Sequence, residues 1–293
     1  MAVLPRPQAR RIRANRGGLT ILIMINIFRV VTIGTLLLVL FGLAAGQTVA
    51  SIEKELLAKI KKIDKASAYT SAARNDELLS SLNDDLKASL IRFTKQASTL
   101  HYGFPKLSKE IDIETSADKK FRVYTWDRQD GGTMHFYETV YQYLGDGKVH
   151  SRGVSGSKDK DADWQDSGAF VIDIFSLDTK AGTVYMVLSS SILSTSESTQ
   201  QIDLFKISGD TLDDEVKLIK TKAGLTNTLG FEFDFFSAVD RPERPLRLIS
   251  YNAATKTIKL PIVIVDNKYQ YGRVTERSIT YRFNGNYFVK VGQ

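Results

Sequence analysis

A mainly β fold of antiparallel meanders, preceded by a helical hairpin and an N-terminal export segment, is what the sequence predicts. Three observations carry the prediction. Apolar residues recur every three or four positions between residues 48 and 100, then every second position from about Ile111. Short links rich in Gly, Asp, Asn and Lys separate the alternating runs, with no helical segment between them. Ahead of both, a basic stretch leads into a long apolar run.

The N-terminal segment comes first, over residues 1–50. Arg6, Arg10, Arg11, Arg13 and Arg16 precede any acidic residue, the first of which is Glu53. The run from Leu19 to Ala45 is broken only by Asn26 and Arg29 among polar residues able to resist burial. Val30–Leu43 has the length of a signal-peptide core, and Ala44 and Gly46 supply small residues for cutting before Gln47; Thr48 and Ala50 offer a second place, before Ser51. A start at Met24 would leave a shorter signal flanked by Arg29. The competing reading is a retained anchor, since roughly 20 apolar residues span a bilayer. Either way the arginines stay inside and the remainder goes out. The expected localisation is therefore periplasmic, extracellular or held at the membrane, and contact with the membrane is expected through this segment alone.

Residues 51–104 follow as a helical hairpin. Ile52, Leu56, Ile60 and Ile63 share one helix face, the link SAYTSAARND interrupts, and Asn75 or Asp76 can cap a second helix. There Leu78, Leu82, Leu86, Leu90, Phe93 and Ala97 are expected on one stripe, packed on the chain's own core. Pro105 stops the helix.

Residues 105–293 make the β domain. KFRVYTW, TMHFYETVYQY, FVIDIFSL, TVYMVLSS, QQIDLFKIS, FEFDFFSAV, PLRLISY, TIKLPIVIV and SITYRF alternate and are rich in β-branched and aromatic residues. About twelve strands are expected, in three meanders: Asp112 to about Arg152, Phe170 to Ile219, and Gly230 to Val289. Propeller-like, sandwich and barrel arrangements all accommodate that number. Pro261 inside an apolar run predicts an edge or bulged strand. Gly145–Gly168 is read as the longest structureless loop, and DRPERP (Asp240–Pro245) as a stiff connection.

Charge and composition narrow the function. Six of the 40 basic residues lie before residue 51 and none of the 33 acidic ones do, so the remainder carries 34 against 33. A near-neutral domain lacks the clustered cations of a nucleic-acid binder. With no cysteine there is no disulfide, thiol nucleophile or thiolate metal site, and no cofactor is expected. Asp159, Asp161 and Asp163 have the alternation of a calcium loop, but Trp164 stands where that loop needs Gly and Phe170 where it needs Glu; no metal site is expected. His101, His135 and His150 form no close pair, and SSSILSTSEST reads as strand and turn. Neither a nucleotide-binding glycine motif nor a nucleophile elbow occurs.

Aromatic density is the remaining clue. Thr125–Tyr143 holds Trp126, His135, Phe136, Tyr137, Tyr141 and Tyr143. Tyr137, Tyr141 and Tyr143 share a strand face, opposite Phe136. One face must be core, and the other could stack a sugar or peptide, with Trp164 in the neighbouring loop as a further candidate. Packing beneath the helices is the competing reading. SADKKFRVYTWDRQDGGTMHFYETVYQY and NTLGFEFDFFSAVDRPERP resemble stretches of exported bacterial proteins to which no activity is attached; the resemblance spans roughly Phe104 to the C-terminus and carries no site residue over. The expectation is an exported, non-enzymatic protein whose β domain binds an envelope ligand or protein partner. The alternative is a hydrolase of envelope polymers or glycans working through carboxylates such as Asp127, Glu138, Asp163 or Asp234, for which a pair about 5–10 Å apart would be the signature.

Overall fold

A computed structural model of the chain describes residues 47–67, 69, 75–155 and 167–292. The basic leader and apolar run, the acidic triplet of Asp159, Asp161 and Asp163, and Trp164 lie outside the described residues. From Val49 onward the described residues form one compact unit of three α-helices, two 3₁₀ turns and fifteen strands, without a closed barrel.

The helices come first. α1 (Val49–Ala66) buries Ile52, Leu56, Ile60 and Ile63, the stripe its spacing predicts. Asn75 caps α2 (Asp76–Phe93): its Oδ1 accepts from Leu78 N at 2.9 Å, satisfying an amide the first turn would otherwise orphan. The buried face of α2 is Leu79, Asn83, Leu86, Leu90 and Phe93, whereas Leu78 is exposed. Geometry explains the correction. Each step of four residues overshoots a turn by about 40°, so a strict run 78–82–86–90 drifts around the helix while a mixture of three and four stays on one face. Ala97 is exposed at the start of α3 (Ala97–His101), beyond the end of α2. Beside it a buried Glu53 accepts hydrogen bonds from Lys106 N, Leu107 N and the Tyr102 hydroxyl at 2.8–3.0 Å. Burial opposes its charge, but these donors together hold its carboxyl below the usual range.

Three sheets follow. The first is β1 (Asp112–Thr115), β2 (Phe121–Asp127), β3 (Tyr137–Gly145) and β4 (Lys148–Ser155), a meander in chain order. Thus the first part of the expected loop Gly145–Gly168 is strand: Asp146 and Gly147 both take positive φ, the tight hairpin turn that returns β4 along β3. The second sheet, β11-β7-β6-β5, comprises β5 (Phe170–Thr179), β6 (Gly182–Ile192), β7 (Glu197–Ser208) and β11 (Thr228–Asp234), with β8 (Thr211–Asp213) on β7. The third, in the order β10-β9-β15-β14-β13-β12, takes β9 (Ile219–Thr221), β10 (Gly224–Thr226), β12 (Ser250–Asn252), β13 (Thr257–Asp266), β14 (Tyr269–Phe283) and β15 (Phe288–Val291). The three expected meanders correspond to these sheets with their boundaries exchanged: Ile219 joins the third sheet and β11 the second. One pair, β9 with β15, is parallel. Pro261 sits where the β13–β14 register shifts, the predicted bulge. The strands beyond twelve are mostly three or four residues long, too short for alternation to mark.

The sheets are layered. α1 and α2 share a core with one face of the first sheet, including Tyr124, Trp126 and Val140. Its other face contributes Phe121, Val123 and Tyr143, which meet Val171, Tyr185, Val187 and Phe205 of the second sheet. The alternate residues Val184, Met186, Leu188, Ile202 and Leu204 turn the opposite way and meet Ile219, Ile258, Leu260 and Phe288 of the third. The second sheet is therefore covered on both faces, and the near-continuous apolar run of β6 is what such a strand requires.

Candidate ligand-binding site

The aromatic residues singled out in the sequence divide between two interfaces. Trp126 is buried on the helix side and donates Nε1–H to Asn83 Oδ1 at 3.0 Å. Tyr143 is buried on the other side, its hydroxyl on Asp210 O at 2.9 Å. Both faces of the first sheet are covered, so neither residue is part of an open stacking platform. Tyr137 and Tyr141 do line a cavity, a cleft of about 210 Å³ between the first and second sheets. Thr125, Thr139, Ser189, Ser191 and Asp203 share it. Burial raises the Asp203 carboxyl above the usual carboxylate range, against hydrogen bonds from Thr228 and Gln201. Gly168 at its edge has φ +65°, and a Cβ there would lie 2.5 Å from Tyr137 O, so β5 enters against the β3 backbone only with glycine.

Asp127 and Glu138 are not brought together on one face. In the β2–β3 register Asp127 opposes Tyr137 and Trp126 opposes Glu138, so Asp127 and Glu138 project from opposite faces. Glu138 is buried and ion-paired with Lys87 at 2.7 Å and Arg128 at 3.6 Å. Asp234 caps the 3₁₀ turn Phe235–Ser237, accepting from Phe236 N at 3.1 Å. Asp163 lies outside the described residues. Among the described residues no group of three or more His, Asp or Glu converges on a metal position.

A larger cavity, about 440 Å³, opens at the end of the second sheet where β6 turns into β7. That volume falls within the roughly 300–1,000 Å³ of small-molecule sites. Its walls come from the third-sheet side of β6 and β7, from β5 and from β11: Phe170, Ile192, Phe233 and Phe235 are the apolar ones. Arg244 closes it from the segment Asp240–Pro245, read as a stiff connection, and Leu246 from the residues that follow. Gln200, 1% exposed, holds that segment in place. Its Nε2 donates to Leu246 O at 2.6 Å, while its Oε1 accepts from Leu248 N at 2.9 Å and Ile249 N at 3.2 Å. The 3₁₀ turn capped by Asp234 sets Phe235 in the wall.

His135 completes the rim. The alternation of TMHFYETVYQY places it in a strand, but β3 begins only at Tyr137; the His135 amide donates to Ile192 O at 3.0 Å, drawing this segment to the end of β6. Its Nδ1 meets Asp127 Oδ2 at 2.6 Å, and the Tyr69 hydroxyl is 3.4 Å from each. Sequence reasoning missed Gln200, Arg244 and Phe235 as site residues. The only traces were the two prolines of DRPERP and the hydroxyl-rich run Ser189–Thr199, which supplies Ser190, Ile192, Ser194 and Ser198 to the wall.

The fold and cavity define a class: a layered three-sheet β protein carrying a small-molecule-sized pocket at a sheet end. No protein-family model matches the chain, and neither a curated protein nor a solved structure shows detectable similarity to it. Among the described residues no helix is long and apolar enough to cross a membrane.

Proposed function

We propose that this chain is an exported, non-enzymatic protein whose β domain binds a small, largely apolar ligand in the cavity at the end of the second sheet. The observation that carries the reading is the cavity itself: about 440 Å³, walled by Phe170, Ile192, Phe233 and Phe235, with its roof pinned by Gln200. Export rests on the arginine-rich leader and the apolar run behind it. Asp127 and Glu138, two of the carboxylates considered for a glycan hydrolase, project from opposite faces of the first sheet, which favours the binding reading over that alternative.

Two measurements test this. A fusion of residues 1–60 to a reporter active only outside the cytoplasm is expected to be active; an inactive fusion accumulating in the cytoplasm rejects export. Ile192→Trp, which fills the cavity with a larger side chain, is expected to abolish saturable binding of apolar probes to the full chain while keeping the far-ultraviolet circular dichroism of the parent. Undiminished binding in a folded variant rejects the cavity as the site.

A further inference from the structure

We infer that the ligand is an amphipathic monoanion, its apolar body in the cavity and its carboxylate on the Arg244 guanidinium. The inference rests on the cavity proposed above and adds the chemical class of its occupant. It starts from the polar groups in the wall, of which Gln200, Ser190 and Ser194 are already engaged. Gln200 spends its amide on three backbone groups. Ser190 donates to Thr199 O at 2.6 Å, and Ser194 Oγ accepts from Glu197 N at 2.9 Å. Beyond the hydroxyls of Thr133, Thr195 and Ser198, a sugar would face Phe170, Ile192, Phe233, Phe235 and Leu246, against which its remaining hydroxyls go unpaired at a cost for each. An alkyl chain or ring meets no such cost.

The rim supplies the charge. Three arginines lie in or beside the roof segment. Arg241 is paired with Glu276 at 3.0 Å and Arg247 with Asp173. Arg244 has no carboxylate within pairing distance among the described residues. A guanidinium carries five N–H donors. Arg244 gives three of them to backbone carbonyls: Arg241 O at 2.6 Å, Glu243 O at 2.7 Å and Val239 O at 2.7 Å. Those bonds orient the group and leave two donors and a whole charge at the cavity mouth. Among the described residues no acidic one lines the cavity. Asp127, the carboxylate behind His135, is itself bonded to that ring. A planar carboxylate matches an oriented guanidinium better than a point cation would.

The full chain, in nanodiscs of neutral phosphatidylcholine with empty nanodiscs as blank, is titrated calorimetrically with decanoate and with decanol. Decanoate is expected to bind saturably and at least tenfold more tightly than decanol, with Arg244→Gln removing that preference. A diazirine-bearing decanoate is expected to crosslink peptides containing Ile192, Phe235 or Leu246. Equal binding of acid and alcohol, unaffected by Arg244→Gln, overturns the anionic head and leaves the cavity reading standing. Absence of saturable binding by both, or crosslinking elsewhere in a folded protein, overturns the cavity reading and this inference with it.

Discussion

Gln200 decides the shape of the cavity through one side chain. An amide at a third-sheet-facing position of β7 satisfies one carbonyl and two N–H groups of a segment some 46 to 49 residues away. An unpaired buried polar group costs about 1–3 kcal/mol. Gln200→Leu keeps the volume and strands all three, so a loss of roughly 2–4 kcal/mol is expected in urea unfolding. Amide exchange at Leu248 and Ile249 should quicken more than exchange in β6. Equal protection in the variant would mean that the roof is held by other contacts. Glu53 works in the same way beside α1, as an acceptor for two amides and a phenol.

At the scale of the element, α2 shows how a helix is committed to a sheet. Its buried positions include Leu86 and Leu90, both fully covered, and Asn83, which joins Leu79 O, Arg128 O and the Trp126 indole. Under β4 the surface is cut close: a Cβ on Gly153 would meet Lys87 and Ile91 at 2.7–2.8 Å. Leu86→Asp places an unpaired charge in this layer and is expected to cost about 3–5 kcal/mol in the unfolding of the whole unit. A midpoint equal to the parent's, with a change in self-association instead, would show that the helix face serves a partner. The strand β6 illustrates the complementary case. Its residues are buried on both sides, so Val184–Ser191 is covered without interruption where the sequence predicts alternation, while β7 alternates.

At the scale of the whole molecule, stability depends on how the layers meet. Where β1 approaches β5, Glu114 is half-buried beside Asp173 and Arg247. Burial foremost, and then the Asp173 charge, pushes its carboxyl up to about 7, above the 4.5 of an unhindered glutamate. The folded chain thus keeps a proton that the unfolded chain releases. Stability from this group is highest below the unfolded value, falls as pH rises through the interval from 4.5 to about 7, and is at its minimum above it. Glu114→Gln is expected to melt above the parent at about pH 8 and to match it at about pH 4. With solvent screening taken into account the difference is on the order of 1 kcal/mol, about 2–4 °C for a chain of this size. A variant no more stable than the parent at alkaline pH would show that Arg247 fully compensates the charge.

Local patterning alone determined a good deal of this protein. The helical hairpin, a cap at Asn75 or Asp76, the change of period near Ile111 and an edge or bulge at Pro261 are all properties of a few consecutive residues, because propensity, capping and pleat are local effects. The tertiary structure alone decided which meander β11 and Ile219 would join, that both faces of the first sheet would be covered, and that Trp126 and Tyr143 would be core. It also decided the candidate site. Gln200, His135, Phe235 and Arg244 belong to different elements and share no spacing, so no period or motif could connect them. Their meeting depends on where the second sheet ends and the third ceases to cover it, a consequence of long-range packing that sequence neighbours do not encode.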